Sequence, residues 1–354
     1  MYPFLSIIVP VYNVERFVEA CLMSLIDTSL SPQDYEILVI NDGSPDRSPE
    51  IVRLFAERHP EYAIHCFDYE NGGLSVARNR GLAKASGEYV WFVDSDDTIN
   101  GKWLPQLCEQ VMREKPDVAY FPFQAEYADS YSGKHIPDVN SYELAQTLSA
   151  EEFYSNLFSF SGSYACFAWY SRMFLLEKKI TFPSGIYYED MVFTGIVSNR
   201  ASKVSTFPYK LYNYHIHEQS FLRERNKEEE RVRNRLVASC LLFNERHTCL
   251  SDRIREKQLD AVSTSIRYSF RRAATLLRSK TFYSIRRILF NEPQKLLNNP
   301  PKEIEERLRQ VSPSALFSEL IHVGPLKGRL MFGLLYYFPI LFLWISRYIL
   351  SKPD

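Results

Sequence analysis

The sequence predicts an α/β protein with a Rossmann-like, mostly parallel central sheet, followed by a helical C-terminal region. Over the first hundred residues, short apolar runs alternate with stretches of helical periodicity, the pattern of βαβ units. Each apolar run ends in polar or glycine-rich residues. After Phe221 strand signals stop, and long amphipathic, charged stretches take over. With 354 residues, the chain exceeds the usual single-domain length, so a catalytic domain at 1–221 and a helical region at 222–354 are expected. The 42 basic and 43 acidic residues nearly cancel, which argues against a nucleic-acid binder held by bulk charge and leaves only local basic stripes open.

The strands are expected at 5–10, 35–40, 63–67 and 89–93. Between the first two, Val14, Phe17, Val18, Cys21, Leu22 and Leu25 recur at helical spacing, with Asn13 placed as the cap. Ser48-Pro49 opens a second helix, because proline tolerates the first helical position, and Ile51, Leu54 and Phe55 are expected to face inward. A third helix is predicted over Leu74–Lys84. Beyond it come a helix near 103–114 and a strand near 118–123, then helices near 227–247 and 252–278. The stretch between Arg329 and Arg347 carries no charge, but Gly333 and Pro339 interrupt it. A spanning helix needs ~20 apolar residues, so an interfacial or re-entrant anchor over 330–346 is expected. Arg267, Arg271, Arg272, Arg278, Arg286 and Arg287 would then face anionic headgroups. An aromatic-rich packing helix is the alternative. Six scattered cysteines without a C-x-x-C pair, and no secretory signal pattern, are read as a cytosolic protein with reduced thiols.

Ligands of open α/β sheets bind outside the carboxyl ends of the strands, so the residues there matter most. These ends are Tyr12-Asn13, Asn41-Asp42-Gly43, Asp68 with Asn71-Gly72-Gly73, and Asp94-Ser95-Asp96-Asp97. Carboxylates at i and i+2 after a buried strand need compensation, either from a hard cation or from turn hydrogen bonds. No Gly-rich basic loop for a triphosphate is present, and Pro10-Val11-Tyr12-Asn13 stands where a dinucleotide enzyme needs G-x-G-x-x-G.

Residues 6–13 (SIIVPVYN), 40–44 (INDGS), 71–79 (NGGLSVARN) and 93–97 (VDSDD), in this order and spacing, resemble the successive motifs of family 2 glycosyltransferases with the A-type fold. The resemblance returns at 182–190 (FPSGIYYED) and, faintly, over 214–220. It implies a nucleotide base held near Pro10, Tyr12, Asp42 and Arg78, with Asp94 on ribose or metal. Asp96 would ligate Mn2+ or Mg2+, and Asp190 would be the general base of an inverting transfer. Glu189, His215 and Ser220 are candidates for contact with donor diphosphate or acceptor, and His217 for a third metal ligand. His215 and His217 depart from the arginine-rich segment of many relatives, and 166–170 lacks the pattern usual before the acidic pair. The partners implied are a nucleotide-sugar donor, UDP by family frequency, and a glycan or lipid-linked glycan acceptor of a surface polysaccharide. The setting implied is the inner face of the cell membrane. A catalytically inactive membrane-associated scaffold is the alternative, since a fold alone establishes no activity.

Overall fold

A computed structural model describes residues 3–127, 145–156, 164–216 and 227–348. The chain divides into two compact units, Met1–Ser184 with Ala201–Ser220, and Gly185–Arg200 with Phe221–Asp354.

In the first unit β1 (Leu5–Val11), α1 (Val18–Ile26), β2 (Tyr35–Asn41), α2 (Ser48–Arg58), β3 (Ala63–Asp68), α3 (Leu74–Lys84) and β4 (Tyr89–Phe92) follow one another. A short β5 (Thr98–Ile99), α4 (Leu104–Glu114), β6 (Val118–Tyr120), β7 (Phe123–Tyr127), β8 (Gln146–Ser149), α5 (Ala150–Asn156), β9 (Ala168–Ser171) and α6 (Arg172–Glu177) come next. β10 (Lys203–Thr206) and β11 (Tyr212–Ile216) complete the unit, with α7 (Glu189–Arg200) of the second unit preceding them in sequence.

The main sheet has the order β3-β2-β1-β4-β9-β6-β10-β8, and its first four strands are parallel. β1 is buried at every residue. Such a strand is covered on both faces, and for that reason it reads as a continuous apolar run. Ile7, Val9, Ile37 and Val39 share one core with Leu22 and Leu25 of α1, Phe55 of α2 and Leu107 of α4. On the other face α3 comes so close that a Cβ on Gly81 would collide with Ile8. A second sheet, β5-β11-β7, lies beside the loop that follows β4.

Several expectations change in detail. Asn13 does not cap α1; it takes a positive φ of 56° in a turn, and the helix begins at Val18 after a turn closed by Val14 O. The run of helical spacing therefore starts one turn before the helix does. In α2, Phe55 is buried and Ile51 packs half-buried on the core as expected, whereas Leu54 is exposed, because Ser48, Val52 and Phe55, spaced i, i+4 and i+7, form the inward face. The strand expected at 118–123 is two strands, β6 and β7, which join different sheets.

The second unit contains α7, α8 (Glu228–Asn244), α9 (Asp252–Leu276), α10 (Ser279–Asn291), α11 (Lys302–Arg309), α12 (Pro313–Leu320), α13 (Leu326–Tyr337) and α14 (Pro339–Tyr348). Gly195 of α7 meets Leu242 of α8 without room for a side chain, and Ser239 of α8 bonds Ser265 of α9. The uncharged segment forms α13 and α14, broken at Phe338-Pro339, while Gly333 is accommodated inside α13. Among the described residues no helix is long and apolar enough to cross a membrane. Three of the arginines expected at lipid are held by the protein. Arg272 pairs with Glu228, Arg286 donates to the Leu335 carbonyl at 2.8 Å, and Arg267 bonds Ser263 and Thr264.

Candidate active site

The carboxyl ends of β1, β2 and β4 bring together Pro10, Tyr12, Asp42, Asp94 and Asp96, as the parallel register requires. Pro10 is buried within β1, and Tyr12 just beyond it is 52% exposed. An exposed ring at a strand end offers a face for stacking.

Asp42 is buried, and its carboxylate organises the next turn. Oδ1 accepts from the Gly72 N–H at 2.9 Å and from Arg80 at 2.9 Å, while Oδ2 accepts from the Gly73 N–H at 2.7 Å. Gly73 has a φ of 87°, a conformation open to glycine, and a Cβ on Gly72 would collide with Val76, which together explain the glycine pair at the start of α3. A carboxylate has about four acceptor positions, so about one remains for a ligand donor.

Arg78, on α3, is buried. It donates to Asp94 Oδ1 at 2.7 Å and lies 5.0 Å from the centre of the Phe182 ring. The arginine thus fixes the first aspartate of the acidic loop. The loop is also fixed from beneath: Asp97 is buried, its Oδ2 accepts from the Tyr212 hydroxyl at 2.7 Å, and its Oδ1 accepts from the His215 N–H at 2.7 Å. The Asp94 N–H donates to the same Tyr212 hydroxyl at 3.1 Å. Burial, reinforced by the charges of Asp96 and Asp94, pushes the Asp97 carboxyl well above its ordinary value. Burial, and then the charge of Asp97, likewise raises Tyr212.

This buried carboxyl has a consequence for stability. With a folded pKa above the unfolded one, its contribution is fully present below the ordinary carboxylate range and is lost as pH rises through the raised value. Relative to Asp97→Asn, the wild type is therefore expected to lose stability as pH rises out of the ordinary carboxylate range and through the raised value. Thermal melts of both proteins across that range read the difference, and parallel curves would contradict it.

Two carboxylates separated by one buried serine, with one oxygen of Asp94 already bonded to Arg78, give a small oxygen-only donor set. Among the described residues no group of three or more His, Cys, Asp or Glu is placed to hold a metal ion. Magnesium and manganese suit such a set, because they commonly keep waters and take further oxygens from phosphates.

The sequence from Ser6 to Glu177 matches Glycosyl transferase family 2. The chain carries a family 2 glycosyltransferase domain. The putative glycosyltransferase EpsH of Bacillus subtilis is 32% identical over 234 residues, 64% of each chain. The chain spans less than two thirds of the length of such curated relatives. The crystal structure of S. aureus TarS 1-349 in complex with UDP-GlcNAc superposes with a TM-score of 0.61 at 20% identity, covering 94% of this chain and 90% of that one. A Pyrobaculum calidifontis mannosyltransferase in complex with GDP-Man and Mn2+ gives a TM-score of 0.52 at 16% identity over 89% and 87%. At these identities the superpositions establish the A-type glycosyltransferase fold.

His215 lies beyond the matched residues; its Nε2 is 2.8 Å from Thr98 Oγ1, and its Nδ1 is 3.5 Å from Glu126. His217 and Ser220 fall outside the described residues. Glu189 and Asp190 form the first turn of α7, in the second unit, where the Thr194 hydroxyl bonds the Asp190 carbonyl at 2.7 Å. Sequence reasoning did not single out Arg80 or Tyr212. Arg80 lies one residue past the 71–79 motif, a signal at hand, whereas nothing local marks Tyr212 as the partner of Asp97. A cavity of about 580 Å³ lined by Phe4, Asp34, Glu88 and Arg172 lies at the amino ends of the strands. That is the wrong end of a parallel sheet for the chemistry, so the acidic rim is the stronger site.

Proposed function

We propose that the protein transfers a sugar from a nucleoside diphosphate sugar, UDP-linked, to a hydroxyl of a glycan or lipid-linked glycan in surface-polysaccharide synthesis, with inversion at the anomeric carbon. The observation that carries this reading is the braced Asp94-Ser95-Asp96 loop at the end of β4, within a matched family domain. Similarity to TarS bound to UDP-GlcNAc supports the donor class, and the Mn2+ complex of the mannosyltransferase supports a divalent metal.

In this reading Tyr12 stacks on the base, and the remaining acceptor position of Asp42 takes a base N–H. Arg78 keeps Asp94 oriented towards ribose or metal. Asp94 and Asp96 hold Mn2+ or Mg2+. When bound, the cation offsets charge on the departing diphosphate. Asp190 takes the proton of the acceptor hydroxyl as its oxygen forms the new bond to the anomeric carbon and the bond to the diphosphate breaks, so no covalent sugar–enzyme species arises. Glu189 flanks that base, and Ser220 and His217 complete the candidate contacts. The protein works at the inner face of the cell membrane as a peripheral protein, a reading supported by the exposed apolar residues Leu330, Tyr337 and Ile340 of the C-terminal helices.

A thermal-shift screen tests the donor. UDP or UDP-sugars with manganese are expected to raise the melting temperature, since a ligand of the native state stabilises it. Chelator should remove the shift. A shift with every nucleotide, or with none, would overturn the donor assignment.

A further inference from the structure

The elbow between α13 and α14 is built unlike the rest of the surface. Tyr337, Phe338 and Ile340 are 60%, 63% and 74% exposed, and Leu341 is exposed beside them. Leu326, Leu330 and Tyr337 form an outward apolar stripe along α13, while Phe332 and Leu335 of the same helix are buried. A helix that is apolar on both its inner and outer faces has an unfilled requirement for an apolar medium.

Helix α10 runs alongside this elbow. Arg286 donates to the Leu335 carbonyl, and the Phe282 ring stacks on Phe342 with centroids 6.2 Å apart. The cations of α10 that point outward, Lys280 and Arg287, and Arg278 at its start are exposed, and none forms an ion pair among the described residues. Neither 278–291 nor 321–348 contains an acidic residue. Two copies meeting through this surface would set cation against cation, whereas an anionic bilayer supplies both the apolar medium and the opposite charge. The two helices, of 12 and 10 residues, are each about 18 Å or less in length, too short to span a hydrocarbon core of about 30 Å.

We propose that the α13–α14 elbow is a membrane wedge, with Phe338, Ile340 and Leu341 entering the acyl boundary of an anionic leaflet and Arg278, Lys280 and Arg287 meeting its phosphates. This rests on the peripheral-membrane reading above and assigns the surface that performs it. Of the six arginines expected at headgroups, Arg278 and Arg287 keep that role and Lys280 joins them, whereas Arg267, Arg272 and Arg286 hold the protein together.

Flotation of the full chain with phosphatidylglycerol-containing vesicles and with pure phosphatidylcholine vesicles tests it. Binding to the anionic vesicles is expected to exceed binding to the neutral ones by at least about tenfold, and to fall with added salt. Ile340→Glu with Leu341→Glu should lose at least about tenfold in affinity, and Arg278→Glu with Arg287→Glu a similar factor. These side chains are exposed, so melting temperature and nucleotide binding should remain those of the wild type. A wild type that floats with no vesicle overturns peripheral association itself. A wild type that floats equally with both elbow variants overturns only this surface. Concentration-dependent dimers that Ile340→Glu dissolves, without vesicle binding, would mean a second copy covers the elbow.

Discussion

Replacing Asp96 with alanine is expected to lower sugar transfer by roughly 10²–10³-fold or more, the loss typical when a preorganised group facing developing charge is removed. Asp96 is partly exposed in a loop, outside the sheet, so the melting temperature should stay close to that of the wild type. Its neighbour provides the contrast. Asp97, one residue on, is buried between the Tyr212 hydroxyl and the His215 N–H, so its substitution acts first on stability. The two variants together separate a residue that holds a ligand from one that holds the loop. Asp96→Ala should also abolish the manganese-dependent part of nucleotide binding, measured by calorimetry with and without chelator. Unchanged turnover would remove Asp96 from the metal site.

Asp190→Asn is expected to leave donor binding intact and to reduce transfer by about 10²–10⁴-fold, the range for loss of a positioned general base. The carboxamide keeps the size of the side chain but cannot accept the proton. The start of α7 should survive, because the Thr194 hydroxyl bonds the Asp190 backbone carbonyl and asparagine suits a first helical turn. The decisive readout is a split: nucleotide affinity unchanged, kcat lost. A fall in both would point to a structural role for the residue, and full activity would remove it from the mechanism.

How far the sequence reached depends on the range of the interactions involved. α3 is found at Leu74–Lys84 as expected, and the strands at 35–41 and 63–68 differ by one residue; β2 is a buried apolar run, and β3, an edge strand with no buried residue, is a short apolar run ended by Asp68, so both are marked locally. Asn13 was misread as a cap because a capping residue and a left-handed turn residue share the same short polar side chain. The 118–123 stretch is continuous in apolar character, yet its two halves pair with different partners, which no local pattern records.

The candidate site divides the same way. The acidic loop, the Asn-Gly-Gly turn and their placement at strand ends were legible, since each is a short run of characteristic residues directly after an apolar strand. What each side chain does was not. Asp42 ties down Gly72, Gly73 and Arg80; Arg78 is buried against Asp94 and Phe182; His215 is occupied by Thr98 and Glu126.

By itself, then, the sequence determined the order of elements, the parallel half of the sheet and the position of the acidic motif, all of which follow from periodicity and turn chemistry over a few residues. Only the tertiary structure decided that Tyr212, 115 residues beyond Asp97, braces the acidic loop, and that the uncharged C-terminal segment folds into an elbow. Those outcomes rest on burial and hydrogen bonding between residues distant in the chain. Such contacts come into being only when the backbone has closed around them.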